Sequence, residues 1–196
     1  PQNIQGLFNV INKSVDKAAK CLNRNVQGIS QSDTMSAVVS RLDKMFDEGL
    51  YWHGNEPCHQ VAYLYDAAGA PWKTQQRIHH ILNTEYNDTP GGLSGNDDAG
   101  QMSAWYVFSA IGFYPVCPST PYYYIGTPSF DKVTFNLENG KKFEIQAHGV
   151  GDKAFYIQKT LLNGKPMSGY QLSHDDILKG GNLEFWMGER PANESK

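Results

Sequence analysis

Residues 95–112 read Gly95-Asn-Asp-Asp-Ala-Gly-Gln-Met-Ser-Ala-Trp-Tyr-Val-Phe-Ser-Ala-Ile-Gly112. The first part is polar and glycine-bounded. The rest is apolar on most sides, which predicts a deeply buried helix running from about Asp98 to Gly112. The chain reaches it through Asp88-Thr-Pro-Gly-Gly-Leu-Ser-Gly-Asn96, a loop of turn formers. Upstream of this stretch the pattern is helical, and downstream it is not.

Four upstream segments carry helical spacing. Leu7, Val10, Ile11, Val15, Ala18 and Leu22 fall on one face. A second helix is predicted from Asp33 to Glu48, capped by Ser32 or Asp33 and stopped by Gly49. A third spans Glu56 to Ala68, and a fourth starts at Pro71 and ends at Tyr86.

Downstream lie short runs rich in aromatic and β-branched residues: Tyr122–Ile125, Lys132–Leu137, Lys142–Ala147, Ala154–Leu162, Tyr170–Ser173 and Leu183–Met187. Asn139-Gly140 and Asn163-Gly164 predict type I′ hairpin turns, and Gly180-Gly181 a further hairpin turn. The reading is an α+β fold segregated along the chain, helical over 1–118 and β-rich over 119–196. The helices suit a small bundle or part of a larger helical toroid.

Composition removes several function classes. Lys and Arg total 17 against 20 Asp and Glu, a formal charge of −3, so no general basic surface exists for nucleic acid. No apolar run approaches the roughly 20 residues of a membrane span. Cys21, Cys58 and Cys117 are odd in number and widely spaced, which fits neither a disulfide scaffold nor a zinc knuckle. The chain starts with Pro and shows no signal peptide, so it is expected to be a processed product or a piece of something longer.

Two segments can carry chemistry. Asp97 and Asp98 stand at the mouth of the apolar helix, where an ionised carboxylate suits a general base that activates water. The plainer alternative is that one of them caps the helix. Residues 51–60, Tyr-Trp-His-Gly-Asn-Glu-Pro-Cys-His-Gln, combine aromatic, amide and carboxylate groups that suit a sugar. His53, Glu56 and His59 are three apart, not the spacing of a zinc peptidase helix. The plainer alternative here is the start of a helix, with Glu56 and Pro57 in its first turn.

These residues resemble a known family. Trp52-His-Gly-Asn-Glu-Pro57, Leu64-Tyr-Asp-Ala-Ala-Gly-Ala-Pro-Trp72, Asp88 to Asp98 and Gly100-Gln-Met-Ser-Ala-Trp through Pro115 look like the C-terminal part of glycoside hydrolase family 92. Leu162-Asn-Gly-Lys-Pro166 and Ile177-Leu-Lys-Gly-Gly-Asn-Leu183 extend the match over nearly the whole chain. The resemblance implies a calcium-dependent, inverting exo-α-mannosidase, often acting on α-1,2 links of N-glycans or mannans. It implies a β-sandwich followed by an (α/α)6 barrel and further β structure, with the present helices as the last part of the barrel. Asp98 matches the general base, with Asp97 second. Asn55 and Glu56 match residues at the sugar or the Ca2+, and His53 and Trp52 are expected at the substrate.

The family's general acid lies in a segment that would end just before Pro1. On that reading the chain carries the base without the acid and is not competent alone, since inversion needs two carboxylates. Its expected partners are an α-mannoside and the N-terminal remainder of the same enzyme, and its expected place is outside the cytoplasm. Competing readings are a non-catalytic carbohydrate-binding or structural fragment, which Asp98→Asn would distinguish, and a phosphorylase of similar layout, which phosphate dependence would reveal.

Overall fold

The structure, a computed structural model, describes residues 31–117 and 119–192, with side chains from Met35 onward. The helix expected over Leu7–Leu22 and the caps expected at Ser32 and Asp33 lie outside the described residues or side chains. Val39–Lys196 form one compact unit; residues 31–38, before it, are the first turns of helix α1 (Gln31–Asp47).

The last turns of α1 are tied to α2 (Leu64–Ala67) and α3 (Pro71–Thr84). Asp43 accepts hydrogen bonds from the Tyr65 hydroxyl at 3.0 Å and from Lys73 Nζ at 2.9 Å, and Arg77 reaches Asp47 at 2.6 Å. Leu42, Tyr65 and Ala70 close a small core beneath these pairs.

The helix expected over Glu56–Ala68 is broken. It consists of 3-10 turns at Glu56–Cys58 and Val61–Tyr63, followed by α2. The cause is tertiary. An α-helix would direct the Tyr63 N–H to the His59 carbonyl. That carbonyl instead accepts the Trp105 indole N–H at 2.9 Å, and Tyr63 N–H bonds Gln60 O at 3.1 Å.

The apolar stretch forms α4 (Gln101–Ile111), preceded by a 3-10 turn at Asp98–Gly100. Only one side of α4 is buried, through Met102, Trp105, Ser109, Ala110 and Ile111. Tyr106 and Val107 are 37% and 54% exposed, contrary to the expectation of deep burial. A helix apolar all round needs cover all round, and the described residues cover one side.

The strands are β1 (Phe113–Tyr114), β2 (Tyr122–Ile125), β3 (Lys132–Asn136), β4 (Lys142–His148), β5 (Tyr156–Leu162), β6 (Lys165–Pro166), β7 (Gln171–Ser173) and β8 (Gly181–Gly188). One antiparallel sheet has the order β1-β2-β7; the other runs β3-β4-β8-β5-β6, with β4 and β8 parallel. Phe143, Ile145 and Ala147 alternate inward and meet Leu183 and Phe185. Each such large side chain contributes about 1.5–3 kcal/mol of apolar burial.

Turn chemistry separates the two Asn-Gly pairs. Asn163 and Gly164 both have positive φ and link Leu162 to its partner Lys165, as a type I′ turn requires. At Asn139-Gly140 only Gly140 is left-handed, and Leu137 N–H bonds Lys141 O across a three-residue loop. That is a type I turn closed by a bulge, not type I′. The Asn139 side chain bridges the loop and its surroundings: Oδ1 accepts the Lys141 N–H at 3.0 Å and Nδ2 donates to Leu178 O at 2.9 Å. Gly180 ends helix α5 (His174–Leu178), with its N–H on Ile177 O, rather than turning a hairpin.

The cores meet through α4. Trp105, Tyr63, Tyr86, Met102 and Tyr114 form an aromatic cluster with Ile78 and Ile81. Ile111 and Phe113 pass into the sheet cluster, and Phe108 packs against both.

Candidate functional site

Two glycines bring the two candidate segments together. A Cβ built on Gly95 would lie 2.4 Å from the Gly54 carbonyl oxygen and 2.7 Å from its Cα. One on Gly54 would lie 2.7 Å from Ser94 O and 2.6 Å from the Trp52 ring. Only glycine lets the 52–56 and 94–98 backbones approach this closely.

The two aspartates then divide. Asp97 Oδ1 accepts the Ser103 backbone N–H at 3.0 Å, and Oδ2 accepts the Ser103 hydroxyl at 2.6 Å. It satisfies a free donor in the first turn of α4, and these bonds hold its carboxyl below the usual range. The capping alternative therefore describes Asp97. Between Asp98 and α4 the chain takes two consecutive left-handed residues, Ala99 (φ 53) and Gly100 (φ 79). For Ala99 this costs about 1–2 kcal/mol. Asp98 is left exposed, without a side-chain partner among the described residues.

The other segment also divides. Trp52 is 58% exposed, and Asn55 is exposed with only a 3.9 Å contact to Cys58 Sγ. Glu56 is half-buried, and its Oε1 is buried without a hydrogen-bond partner. It lines a hollow of about 260 Å³ with Gln101, Phe108, Tyr114 and Val116.

His53 departs from the expectation of substrate contact. It is fully buried, with both ring nitrogens used within the protein. The Tyr86 hydroxyl donates to Met102 O at 3.1 Å, so at 2.6 Å it accepts from His53 Nε2–H. His53 Nδ1 then accepts from the Tyr51 hydroxyl at 2.8 Å. Burial, with His59 beside it, lowers the imidazole to about 3, so it is neutral near pH 7. Burial also pushes the Tyr51 and Tyr86 hydroxyls well up.

His59 extends the chain of bonds. Its Nε2–H donates to the His53 carbonyl at 3.1 Å, which leaves Nδ1 as an acceptor for the Gln101 amide at 3.1 Å. The same Gln101 nitrogen donates to Tyr114 OH at 2.9 Å. Burial lowers the His59 imidazole too. Trp105 lies edge-on to His53, with ring centres 4.2 Å apart. The sequence carries little signal for this network, because Tyr86 is 33 residues from His53 and Gln101 is 42 from His59.

For a hard cation the donor chemistry fits in kind: the Asn55 amide oxygen and the orphaned Glu56 Oε1 are oxygen ligands. The number falls short of a self-contained site. Among the described residues no three His, Cys, Asp or Glu gather to hold a metal.

Residues 2–189 match the glycosyl hydrolase family 92 catalytic domain. An uncharacterized secreted glycosidase of Arthroderma benhamiae is 34% identical over 161 residues, covering 81% of this chain and 21% of that protein. A family GH92 α-mannosidase of Bacteroides thetaiotaomicron superposes with a TM-score of 0.78 at 44% identity, over 83% of this chain and 23% of the other. A family GH92 inverting mannosidase of Bacteroides thetaiotaomicron gives a TM-score of 0.75 at 39% identity, over 81% and 25%. The chain spans about a quarter or less of the length of each of these relatives. With the family match spanning nearly the whole chain and the likeness to solved members, the chain belongs to glycosyl hydrolase family 92.

Proposed function

We propose that this chain is the part of an inverting exo-α-mannosidase that carries the general base. The helices would then belong to an (α/α)6 barrel, with α-mannosides, α-1,2-linked ones first, as substrates. The observation that carries the reading is the Gly54–Gly95 contact. It joins the loop that carries Trp52, Asn55 and Glu56 to the loop that leads to the exposed Asp98.

In this reading Asp98 takes a proton from water as the water attacks the anomeric carbon, while the general acid of the N-terminal remainder protonates the glycosidic oxygen as its bond to that carbon breaks. Asp97 holds the helix start and keeps the loop in place. Trp52 offers an exposed ring for the C–H face of a sugar. Asn55 and Glu56 contact the sugar hydroxyls and would supply part of the oxygen ligands of a bound Ca2+. When bound, the ion would polarise and orient the hydroxyls it touches. His53 and His59, neutral and buried, act as positioning residues behind this surface. The Arthroderma relative is a secreted glycosidase, which supports a place outside the cytoplasm, and no helix among the described residues is long and apolar enough to cross a membrane.

The test is mannose release from α-1,2-linked mannobiose, with and without a calcium chelator, by this chain joined to the N-terminal remainder that supplies the general acid, in wild-type and Asp98→Asn form. Chelator-sensitive release that Asp98→Asn abolishes is expected. Release that Asp98→Asn leaves intact removes the base assignment. Binding of mannoside with no turnover in either form favours a carbohydrate-binding role instead.

A further inference from the structure

The Gln101 amide has a fixed direction. A backbone carbonyl only accepts, so the His53 carbonyl requires the His59 proton on Nε2. His59 Nδ1 is then a bare acceptor, and Gln101 must turn its NH2 group toward it. The same nitrogen reaches Tyr114 OH, so both amide protons are engaged by the protein. Gln101 Oε1 consequently faces the other way, without a protein partner among the described residues. Tyr114 OH accepts from Gln101, and its own proton is free to be donated. Gln101 and Tyr114 both line the hollow that Glu56 enters.

An acceptor oxygen beside a free hydroxyl donor suits a neutral group that both donates and accepts, and a sugar offers such groups as its hydroxyls. A sugar hydroxyl donates one hydrogen bond and accepts another, and so answers both partners at once. A carboxylate or phosphate would meet Gln101 Oε1 oxygen to oxygen, and an ammonium would leave the Tyr114 proton unused.

We propose that Gln101 and Tyr114 form a hydroxyl-recognition pair that binds one specific hydroxyl of the mannoside, with Gln101 aimed by the buried His53–His59 relay. This rests on the mannoside reading above. Gln101 acts as a specificity residue, and His59 acts through it.

The experiment uses methyl α-mannopyranoside and its 2-, 3-, 4- and 6-deoxy analogues, titrated calorimetrically into wild type, Gln101→Met and Tyr114→Phe. Loss of one neutral hydrogen bond predicts affinity about threefold to tenfold lower for the parent glycoside and three analogues. One analogue, lacking the recognised hydroxyl, should show no loss, and it should be the same analogue for both variants. A structural role would weaken all five ligands equally, and that result, or no loss at all, overturns the proposal. If Gln101→Met fails to fold, judged by near-UV circular dichroism, the Tyr114→Phe series decides alone. A wild-type protein that binds none of the five sinks the mannoside reading and this inference with it. Wild-type binding with uniform losses sinks only the hydroxyl pair.

Discussion

Gly95→Ala tests the central feature of the site, the close approach of two loops. The added Cβ would sit 2.4 Å from the Gly54 carbonyl oxygen, 2.7 Å from its Cα and 2.9 Å from its carbonyl carbon. Ordinary contact begins near 3.4 Å, and all three neighbours are backbone, which cannot swing aside as a side chain can. The loops must therefore separate by about 1 Å, the difference between 3.4 and 2.4 Å. Overpacking of this kind costs about 1–3 kcal/mol. Misplacing reacting groups by about 1 Å costs on the order of 10²-fold in rate. The expected result is a modest fall in the urea midpoint with a much larger fall in kcat/KM for mannobiose, measured on this chain joined to its N-terminal remainder. A variant with wild-type turnover and wild-type stability would refute the argument that this contact builds the site.

Further expectations concern charge and burial. Asp66 is 8% exposed, and burial, opposed only by the neighbouring Thr74 hydroxyl, pushes its carboxyl well above the usual range. The folded state then holds a proton that the unfolded state releases above about pH 4, so this group loses stability as pH rises from there toward its folded value. Asp66→Asn, which mimics the protonated acid, should be more stable than wild type at pH 7, with the gain shrinking toward pH 4; urea midpoints at several pH values show this or disprove it. His53 has the opposite sign. Its folded value of about 3 lies below the unfolded value near 6.5, so stability falls as pH drops through that window, at about 1.4 kcal/mol per pH unit for one proton. In the Asp66→Asn background this slope should stand clear of the opposing one, and an imidazole NMR titration placing His53 near 6.5 would contradict it. Asp97→Ala should lower the melting temperature by freeing the first turn of α4, whereas Asp98→Ala should leave melting unchanged; equal melting in both variants would show that Asp97 does not cap. Trp105→Phe removes the donor to His59 O from a fully buried site and should cost about 3 kcal/mol in denaturant unfolding, with a loss under 1 kcal/mol arguing against that bond.

Much was determined locally. Strand β2 falls on the predicted Tyr122–Ile125, and β3, β4 and β5 fall within a residue or two of their aromatic and β-branched runs, because alternation along a half-buried strand is written in adjacent residues. Helix α3 begins at Pro71 for the same kind of local reason. The type I′ turn at Asn163-Gly164 is local too. Family membership was also legible, since its blocks of residues are contiguous in the chain.

Tertiary structure decided the rest. It broke the helix after Glu56 by giving the His59 carbonyl to Trp105, 46 residues away. It tied the bulged loop at Asn139-Gly140 to the end of α5, with the Asn139 amide donating to Leu178 O. It assigned adjacent aspartates different tasks, because two left-handed residues separate Asp98 from the helix that Asp97 holds. It buried His53 between two tyrosines, where an imidazole next to an exposed tryptophan reads from sequence as a ligand contact. Side-chain periodicity reports which face is apolar. Which distant donor takes which carbonyl, and which of two like carboxylates faces water, depends on segments that meet only after the chain has packed.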